Sequence, residues 1–254
     1  MLLDSPYHAE DISSVTEQFD ADILKATCEL PERQFGRVFG LDKQLVQQRK
    51  PHNFYYYKDN GSDVLAVAHL DTVVEPRERT ARYMQTDAGL VIHSGALDDR
   101  LGAYVILELL PRLGLQHDIL LTVGEERGQS TAEFFESPKE YNWIIEFDRG
   151  GTDVVMYDYE TQEMVDKVRA ARARVGGGSF SDISYMEHLG VKAFNWGVGY
   201  HDYHSPRGFA YLDDTFEMVV KYQRFHKQNE GQYLLHLPSI GRPWWDENFP
   251  ASVK

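Results

Sequence analysis

A chain of 254 residues, 42% of them hydrophobic, is long enough for one α/β domain with a sizeable buried core. The formal net charge of −14 argues against nucleic-acid and anionic-membrane partners, which would repel it. The single cysteine, Cys28, allows no internal disulfide, which suits a reducing compartment. Residues 1–11 form no apolar segment, and no run of about 20 apolar residues follows. We therefore expect a cytoplasmic protein without a signal peptide or membrane span.

The predicted elements alternate between strands and helices along most of the chain. They begin with a helical or mixed region at 13–43, strands at 53–57 and 64–69, a hairpin at 82–92, a helix at 100–113, a strand at 119–123 and a short helix from Ser130. They continue with strands at 143–147 and 154–156, helical segments at 162–174 and 182–189, a strand at 193–198 and a helix at 215–226. The tail after Gln228, with Trp244 and Trp245, receives no assignment. This alternation predicts a three-layer αβα sandwich with a mostly parallel mixed central sheet.

Five clusters rich in acidic residues and histidine lie where these strands end or a helix begins. They are His69–Asp71, Gly95–Arg100, Gly124–Glu126, Glu146–Arg149 and Tyr203–Pro206. In an open α/β sheet, ligands collect at the carboxyl ends of the strands. We therefore expect the clusters to meet in space, although His69 and His204 are 135 residues apart (204 minus 69).

Histidine nitrogens and carboxylate oxygens are the donors that zinc takes in hydrolytic sites. Two histidines and three carboxylates suffice for two metals if one carboxylate bridges them, and metals about 3.5–4 Å apart can share a water. Each cluster alone also has a structural explanation, since an Asp-Asp pair before a helix commonly caps it. The joint pattern, with the right residue types at successive strand ends, favours a metal site.

Four of these motifs together resemble the superfamily of co-catalytic, two-zinc metallo-exopeptidases. That group includes zinc aminopeptidases, peptidase T-like enzymes, glutamate carboxypeptidases and acylases. The resemblance covers roughly residues 69–212 and lies in the segments 69–74, 95–102, 122–128 and 203–206. It implies a zinc-peptidase-like α/β fold and a site for two divalent ions per chain, with zinc expected and cobalt or manganese as alternatives.

The resemblance also implies a role for each matching residue. The metal ligands would be His69, Asp98, Glu126, Asp148 and His204. Asp98 would bridge both ions, His69 and Asp148 would bind one of them, and Glu126 and His204 the other. Glu125 would be the catalytic general base, and Asp71 would orient His69.

Two of these ligands have competitors close by in the sequence. Asp99 is the alternative bridge, although relatives place the ligand first in the Asp-Asp pair. His201 is the alternative to His204, although the His-Ser-Pro context favours His204.

The spacing between motifs predicts a reduced form of the family. Asp148 and His204 are 56 residues apart (204 minus 148), and His69 and Asp98 are 29 apart (98 minus 69). Neither interval can hold an additional domain, so we expect residues 1–254 to form a single catalytic domain without a lid or dimerisation domain. Without a lid, the group that polarises the substrate carbonyl is open, and the candidates are Tyr185, Tyr200 and Tyr203. The segment 176–182, which begins with three glycines, either resembles the glycine-rich approach to the active site in the relatives or is an ordinary flexible loop.

These observations lead us to expect a metal-dependent hydrolase that cuts an amide bond with a metal-bridging water activated by Glu125. The expected substrate is a small peptide, cut by an aminopeptidase or carboxypeptidase activity. One alternative is a deacylase acting on an N-acyl amino acid or modified metabolite, since a fold does not fix a substrate. A second alternative is a non-catalytic binding module on the same fold. The oligomeric state is open.

Overall fold

The structure of the chain, a computed structural model, describes residues 9–47 and 53–237. Its α-helices are α1 (Ala9–Gln18), α2 (Ala21–Glu29), α3 (Phe35–Phe39), α4 (Leu97–Tyr104), α5 (Leu110–Arg112), α6 (Gln162–Ala170) and α7 (Leu212–Asn229), and a π-helical turn (Val105–Leu109) joins α4 to α5. Its strands are β1 (Asp42–Leu45), β2 (Phe54–Lys58), β3 (Val64–His69), β4 (Arg82–Thr86), β5 (Gly89–His93), β6 (Asp118–Thr122), β7 (Trp143–Glu146), β8 (Asp153–Val155), β9 (Arg174–Val175), β10 (Ala193–Trp196), β11 (Tyr200–His201) and β12 (Phe209–Tyr211). None of the described helices is both long and apolar enough to cross a membrane.

The described strands form a mixed eight-stranded central sheet in the order β1-β2-β6-β3-β7-β10-β8-β9. Its four middle strands, β6, β3, β7 and β10, run parallel to one another. Every residue of these four strands is buried, which is typical of parallel strands covered on both faces. The β1–β2, β2–β6 and β10–β8 pairs are antiparallel. The predicted mixed, mostly parallel centre is confirmed.

Different elements cover the two faces of this sheet. Phe225 of α7 packs against the rings of Trp143 on β7 and Trp196 on β10. Successive side chains of a strand point to opposite faces, so Glu146 faces away from α7, and there it accepts a hydrogen bond from Ser181 Oγ. The 3-10 turn that follows Ser181 lies on that second face, against β3, β7 and β10. The predicted layered arrangement is therefore present.

A second, antiparallel sheet of four described strands has the order β11-β12-β5-β4. The predicted hairpin is its β4–β5 pair, whereas the sequence analysis did not predict β11 or β12. Phe209 pairs with His93, and the amide of Ser94 donates to the Gly208 carbonyl over 2.9 Å. This pairing holds the chain that leads into Asp98 beside the loop that carries His204.

Several predicted boundaries change in the structure. The region 13–43 contains α1, α2, a 3-10 turn (Glu32–Gln34), α3 and the start of β1, a strand that the sequence analysis missed. The helix predicted at 162–174 ends at Ala170, because Arg172 has a left-handed backbone (φ 64°) that an α-helix cannot accommodate. The helix predicted at 182–189 is two 3-10 turns, Asp182–Tyr185 and Glu187–Leu189. Trp244 and Trp245 lie outside the described residues.

His117, which precedes β6, is buried as a neutral imidazole, and its titration gives a testable prediction. Its Nε2 is hydrogen-bonded to the Tyr222 hydroxyl of α7, and burial, with a smaller effect of His226, lowers its pKa to about 3. The unfolded chain, with a histidine pKa of about 6.5, takes up this proton first as the pH falls. Stability from neutral His117 is therefore complete above about pH 6.5 and falls toward pH 3 by about 1.4 kcal/mol per pH unit.

We expect His117→Gln to flatten the pH dependence of the free energy of unfolding between pH 6 and pH 4. Urea unfolding at a series of pH values measures this slope directly. The same substitution at the exposed His201 is the matched control and should leave the slope as it is. An identical slope in His117→Gln and in the unmodified chain would show that His117 does not cause the acid sensitivity.

Candidate metal centre

The carboxyl ends of three parallel strands bring the predicted residues to one edge of the central sheet. His69 is the last residue of β3, and Asp148 follows β7 by two residues. Glu125 and Glu126 follow β6 in a 3-10 turn that Gly124 opens with a left-handed backbone (φ 93°). Because these strands are neighbours in the order β6-β3-β7, the three segments lie side by side, as predicted.

Asp98 and His204 reach the same place from the second sheet. Asp98 has an extended backbone (φ −86°, ψ 108°), so the regular turns of α4 begin after Asp99. Asp202 and His204 both have left-handed backbones (φ 49° and 56°), and Ser205 Oγ donates to the Asp202 carbonyl over 2.6 Å. Residues other than glycine adopt this backbone mainly where the surroundings enforce it, commonly at functional sites.

The carboxylate of Asp98 lies between the two predicted histidine ligands. Its Oδ1 is 3.0 Å from His69 Nε2, and its Oδ2 is 3.1 Å from His204 Nε2. Glu126 Oε2 is 3.0 Å from His204 Nε2, and Asp148 Oδ1 is 3.8 Å from His69 Nε2. The five residues thus form two groups that share Asp98.

These donors fit divalent metal ions. Donors at 2.0–2.1 Å from one tetrahedral zinc lie about 3.3 Å from each other, and the four distances above run from 3.0 to 3.8 Å. One ligand atom from each of His69, Asp98 and Glu126 lies within 4.8 Å of the other two. Glu126 Oε1 is buried and has no hydrogen-bond partner within the described part of the chain. A bound cation would satisfy this oxygen.

The electrostatics of the site favour positive charge at both histidines. Hydrogen bonds to Asp98 and Glu126 raise the pKa of His204 to about 10. Burial acts to lower the pKa of His69, but the charge of Asp148 and the hydrogen bond to Asp98 hold it well above its usual value. Protons on the two imidazoles therefore balance the carboxylates when no metal is bound. Metal binding has to displace these protons.

Asp71 fixes both His69 and the turn that carries Glu125. Its backbone carbonyl lies 3.0 Å from His69 Nδ1, whereas its Oδ1 lies 3.8 Å from that nitrogen. Oδ1 instead accepts hydrogen bonds from the amides of Gly124 (2.7 Å) and Glu125 (3.3 Å). The residue predicted to orient His69 does contact its ring, but the shorter contact comes from the main chain. An Nδ1–H donated to this carbonyl leaves Nε2 free to bind a metal.

The adjacent carboxylates of Glu125 and Glu126 point to different histidines. Glu125 Oε2 lies 3.8 Å from His69 Nε2, whereas Glu126 contacts His204. Glu125 is buried, and burial raises its pKa well above the usual value, with a further contribution from the charge of Asp148. The two adjacent side chains therefore face different histidines. Such a separation is needed if one glutamate is to bind a metal while its neighbour acts as a base.

The two competing residues occupy other surroundings. Both oxygens of Asp99 are buried without a hydrogen-bond partner among the described residues, and burial raises its pKa well above the usual value. The Asp99 carboxyl packs against Gly102, where an added Cβ would lie 2.2 Å from Asp99 Oδ1. His201 stacks on Phe209 with ring centroids 4.9 Å apart. The contacts within the cluster belong to Asp98 and His204.

By sequence, the chain matches no protein-family model and no curated protein. By structure, it is similar to a tripeptidase from Staphylococcus aureus, with a TM-score of 0.58 and 12% identity over 85% of this chain and 98% of that one. It is also similar to the aminopeptidase PepT from Bacillus cereus (TM-score 0.53, 14% identity, 85% and 96%) and to the TET1 peptidase from Pyrococcus horikoshii (0.52, 14%, 83% and 98%). The chain has the fold of these three peptidases. The fold that the sequence motifs implied is confirmed.

The cluster of candidate metal ligands opens into a cavity of about 310 Å³. It is lined by Asp98, Glu125, Glu126, Asp148, Arg149, Gly150, Tyr157, Gly178, Ser179, Phe180, Tyr200, Tyr203 and His204. Of the three candidate tyrosines, Tyr200 and Tyr203 line the cavity and Tyr185 does not. The Tyr200 hydroxyl donates to Asp148 Oδ1 over 2.6 Å.

The sequence analysis gave no role to three lining residues, Arg149, Gly150 and Tyr157. Arg149 directly follows a predicted ligand, so its position was a usable signal. Tyr157 lies in a 3-10 turn after β8, and no motif marks it. The segment 176–182, predicted as either an approach or a loop, contributes Gly178, Ser179 and Phe180 to the cavity wall.

Proposed function

We propose that this chain is a metal-dependent exopeptidase, a single catalytic domain that cuts an amide bond of a small peptide. The observation that carries the proposal is the position of Asp98, whose two oxygens face different histidines at 3.0 and 3.1 Å. Such a carboxylate can bridge two ions about 3.5–4 Å apart. Two of the proteins that share the fold are a tripeptidase and an aminopeptidase, which supports the same function.

The proposed ligands form two groups around that bridge. His69 and Asp148 would hold one ion, and Glu126 and His204 the other. Zinc suits these nitrogen and oxygen donors best, with cobalt or manganese as alternatives. Two bound ions would acidify a shared water and polarise the carbonyl of the scissile amide.

Glu125 is the proposed general base. Its carboxylate accepts a proton from the attacking water and returns it to the nitrogen of the leaving amine. Its burial raises its pKa well above the usual value, and a higher pKa makes the carboxylate a stronger base. The amide bonds from Gly124 and Glu125 to Asp71 hold the turn in place.

Two further residues position the proposed ligands. The Asp71 carbonyl fixes the His69 ring, so that Nε2 faces Asp98. The Tyr200 hydroxyl holds Asp148 through its Oδ1. Both contacts reduce the reorganisation that metal binding needs, which preserves affinity.

The two alternative functions differ from the proposed one: a deacylase would cut another substrate, and a binding module would not catalyse a reaction. A cavity of about 310 Å³ is at the lower end of the range for small-molecule sites, about 300–1,000 Å³, which suits both a dipeptide and an N-acyl amino acid. A deacylase therefore remains the runner-up. Convergence of the proposed base with all five proposed ligands favours catalysis over a binding module.

Metal content and a substrate screen test the proposal together. We expect the zinc-reconstituted protein to hold two ions per chain, to lose them in acid as the ligands gain protons, and to hydrolyse free dipeptides. Hydrolysis of N-acyl amino acids alone would establish the deacylase instead. At most one bound ion after reconstitution with zinc or cobalt would contradict the two-metal site.

A further inference from the structure

A cationic side chain shares the cavity of the proposed metal centre. Arg149 follows Asp148 in the chain, and both side chains line that cavity. Apart from His204, Arg149 is the one basic residue among the described lining residues, which otherwise include four carboxylates. The Arg149 side chain is 26% exposed, so a molecule in the cavity can reach it.

Asp153 holds Arg149 in a fixed orientation. Arg149 Nε donates to Asp153 Oδ1 over 2.6 Å, and Nη2 donates to Oδ2 over 3.1 Å. A guanidinium is planar and has five donors, so this two-point pair leaves Nη1 available. Nη1 has no hydrogen-bond partner within residues 9–47 and 53–237. The bonds to Asp153 therefore fix the orientation of the Arg149 guanidinium and leave its Nη1 edge free to donate.

Glycines make room for this pair. A Cβ added to Gly176 would lie 1.8 Å from Asp153 Oδ2, and one added to Gly151 would lie 2.5 Å from Asp153 Oδ1. A Cβ added to Gly178, which lines the cavity, would lie 3.6 Å from Arg149 Nη1. Glycine at positions 151 and 176 therefore has a steric reason, because a side chain at either position would displace Asp153 from the guanidinium.

We propose that Arg149 determines specificity by binding a carboxylate of the substrate next to the scissile amide. The inference rests on the proposed function and narrows it to substrates whose leaving residue is an amino acid with a free α-carboxylate. Dipeptides and N-acyl amino acids both satisfy this condition. An Arg donor edge matches a carboxylate in shape and charge, and its pairing with Asp153 lowers the entropy lost on binding. Arg149 and the proposed ligands line one cavity of about 310 Å³, so a carboxylate bound by Arg149 would share that cavity with the reacting carbonyl.

Paired acid and amide substrates test this role. L-alanyl-L-alanine and N-acetyl-L-alanine are compared with their C-terminal amides, using the unmodified chain, Arg149→Gln and Arg149→Lys. Removal of a charged hydrogen bond is expected to raise KM for the acids by about 10–100-fold and to leave KM for the amides and kcat within a few-fold. Arg149→Lys, which keeps the charge, should retain part of the preference for the acids. The matched control is Arg174→Gln, because Arg174 is exposed and donates to Thr152 Oγ1, away from the cavity.

A binding measurement separates this inference from the proposed function. Calorimetry with zinc-loaded Glu125→Gln protein, with and without Arg149→Gln, reports the preference for acid over amide without turnover. If the unmodified chain hydrolyses none of the four compounds, the proposed function fails, while the binding preference still tests Arg149. We expect the acids to bind at least about 10-fold tighter than the amides, and Arg149→Gln to remove most of that difference. Equal binding of acid and amide, no binding of either, or an unchanged preference in folded, metal-loaded Arg149→Gln protein would overturn the inference.

Discussion

Glu125→Gln is expected to keep two metal ions per chain and to lower kcat by about 10²–10⁴-fold, the usual contribution of general acid–base catalysis. Glutamine keeps the shape of the side chain but cannot accept and return a proton at neutral pH. Glu125 is not one of the five proposed ligands, and Glu126 beside it makes the 3.0 Å contact with His204, so metal binding should survive. Elemental analysis and steady-state kinetics on one verified substrate measure the two quantities.

Glu126→Gln is the matched control for that experiment, since it makes the same chemical change one residue away. Glu126 contacts His204 at 3.0 Å, so this variant should lose one ion. Turnover near the unmodified level in Glu125→Gln would refute the proposed mechanism. If the two phenotypes were exchanged, the chemistry would stand and the two glutamates would exchange roles.

Asp98→Ala is expected to lose both ions, whereas Asp148→Ala should lose one or bind it weakly. The reason is geometric, because Asp98 contacts both His69 and His204, whereas Asp148 contacts only His69 of these two histidines. Truncation of a bridge removes a donor from each ion, and truncation of a terminal ligand removes a donor from one. Metal content after dialysis against a weak chelator measures the difference.

Asp99→Asn provides the control for the bridge. Burial raises the pKa of the Asp99 carboxyl well above its usual value and so favours the neutral form, which the isosteric amide resembles, so both ions should stay. Equal metal loss in Asp98→Ala and Asp148→Ala would show that Asp98 does not bridge. Loss of both ions in Asp99→Asn, with retention in Asp98→Ala, would assign the bridge to Asp99.

The centre of the fold was readable from the sequence because its strands are continuous apolar runs. The run Val64–Ala68, for instance, is typical of a parallel strand that is covered on both faces. The edges were not readable. All four residues of β1 are exposed and its sequence is mostly polar, and β11 and β12 have two and three residues. Such strands exist because distant partners pair with them, as His93 does with Phe209.

The sequence predicted those site residues whose residue type suits a metal ligand and whose position is the end of a predicted strand. His69, Glu126 and Asp148 are examples, since the strands that carry them are neighbours. Details that depend on which atom faces which neighbour were not readable. The Asp71 carbonyl, rather than its carboxylate, makes the shorter contact with His69, and Arg149 gains its orientation from Asp153 and from room left by glycines. Such contacts arise from three-dimensional packing, which a linear pattern does not encode.

Anomalous diffraction at the zinc absorption edge, from crystals of the zinc-loaded protein, tests the two-metal site most directly. We predict two peaks per chain, about 3.5–4 Å apart, with the Asp98 carboxylate between them. One peak should lie beside His69 and Asp148, and the other beside Glu126 and His204. A single peak per chain, or two peaks that do not flank Asp98, would contradict the proposed centre.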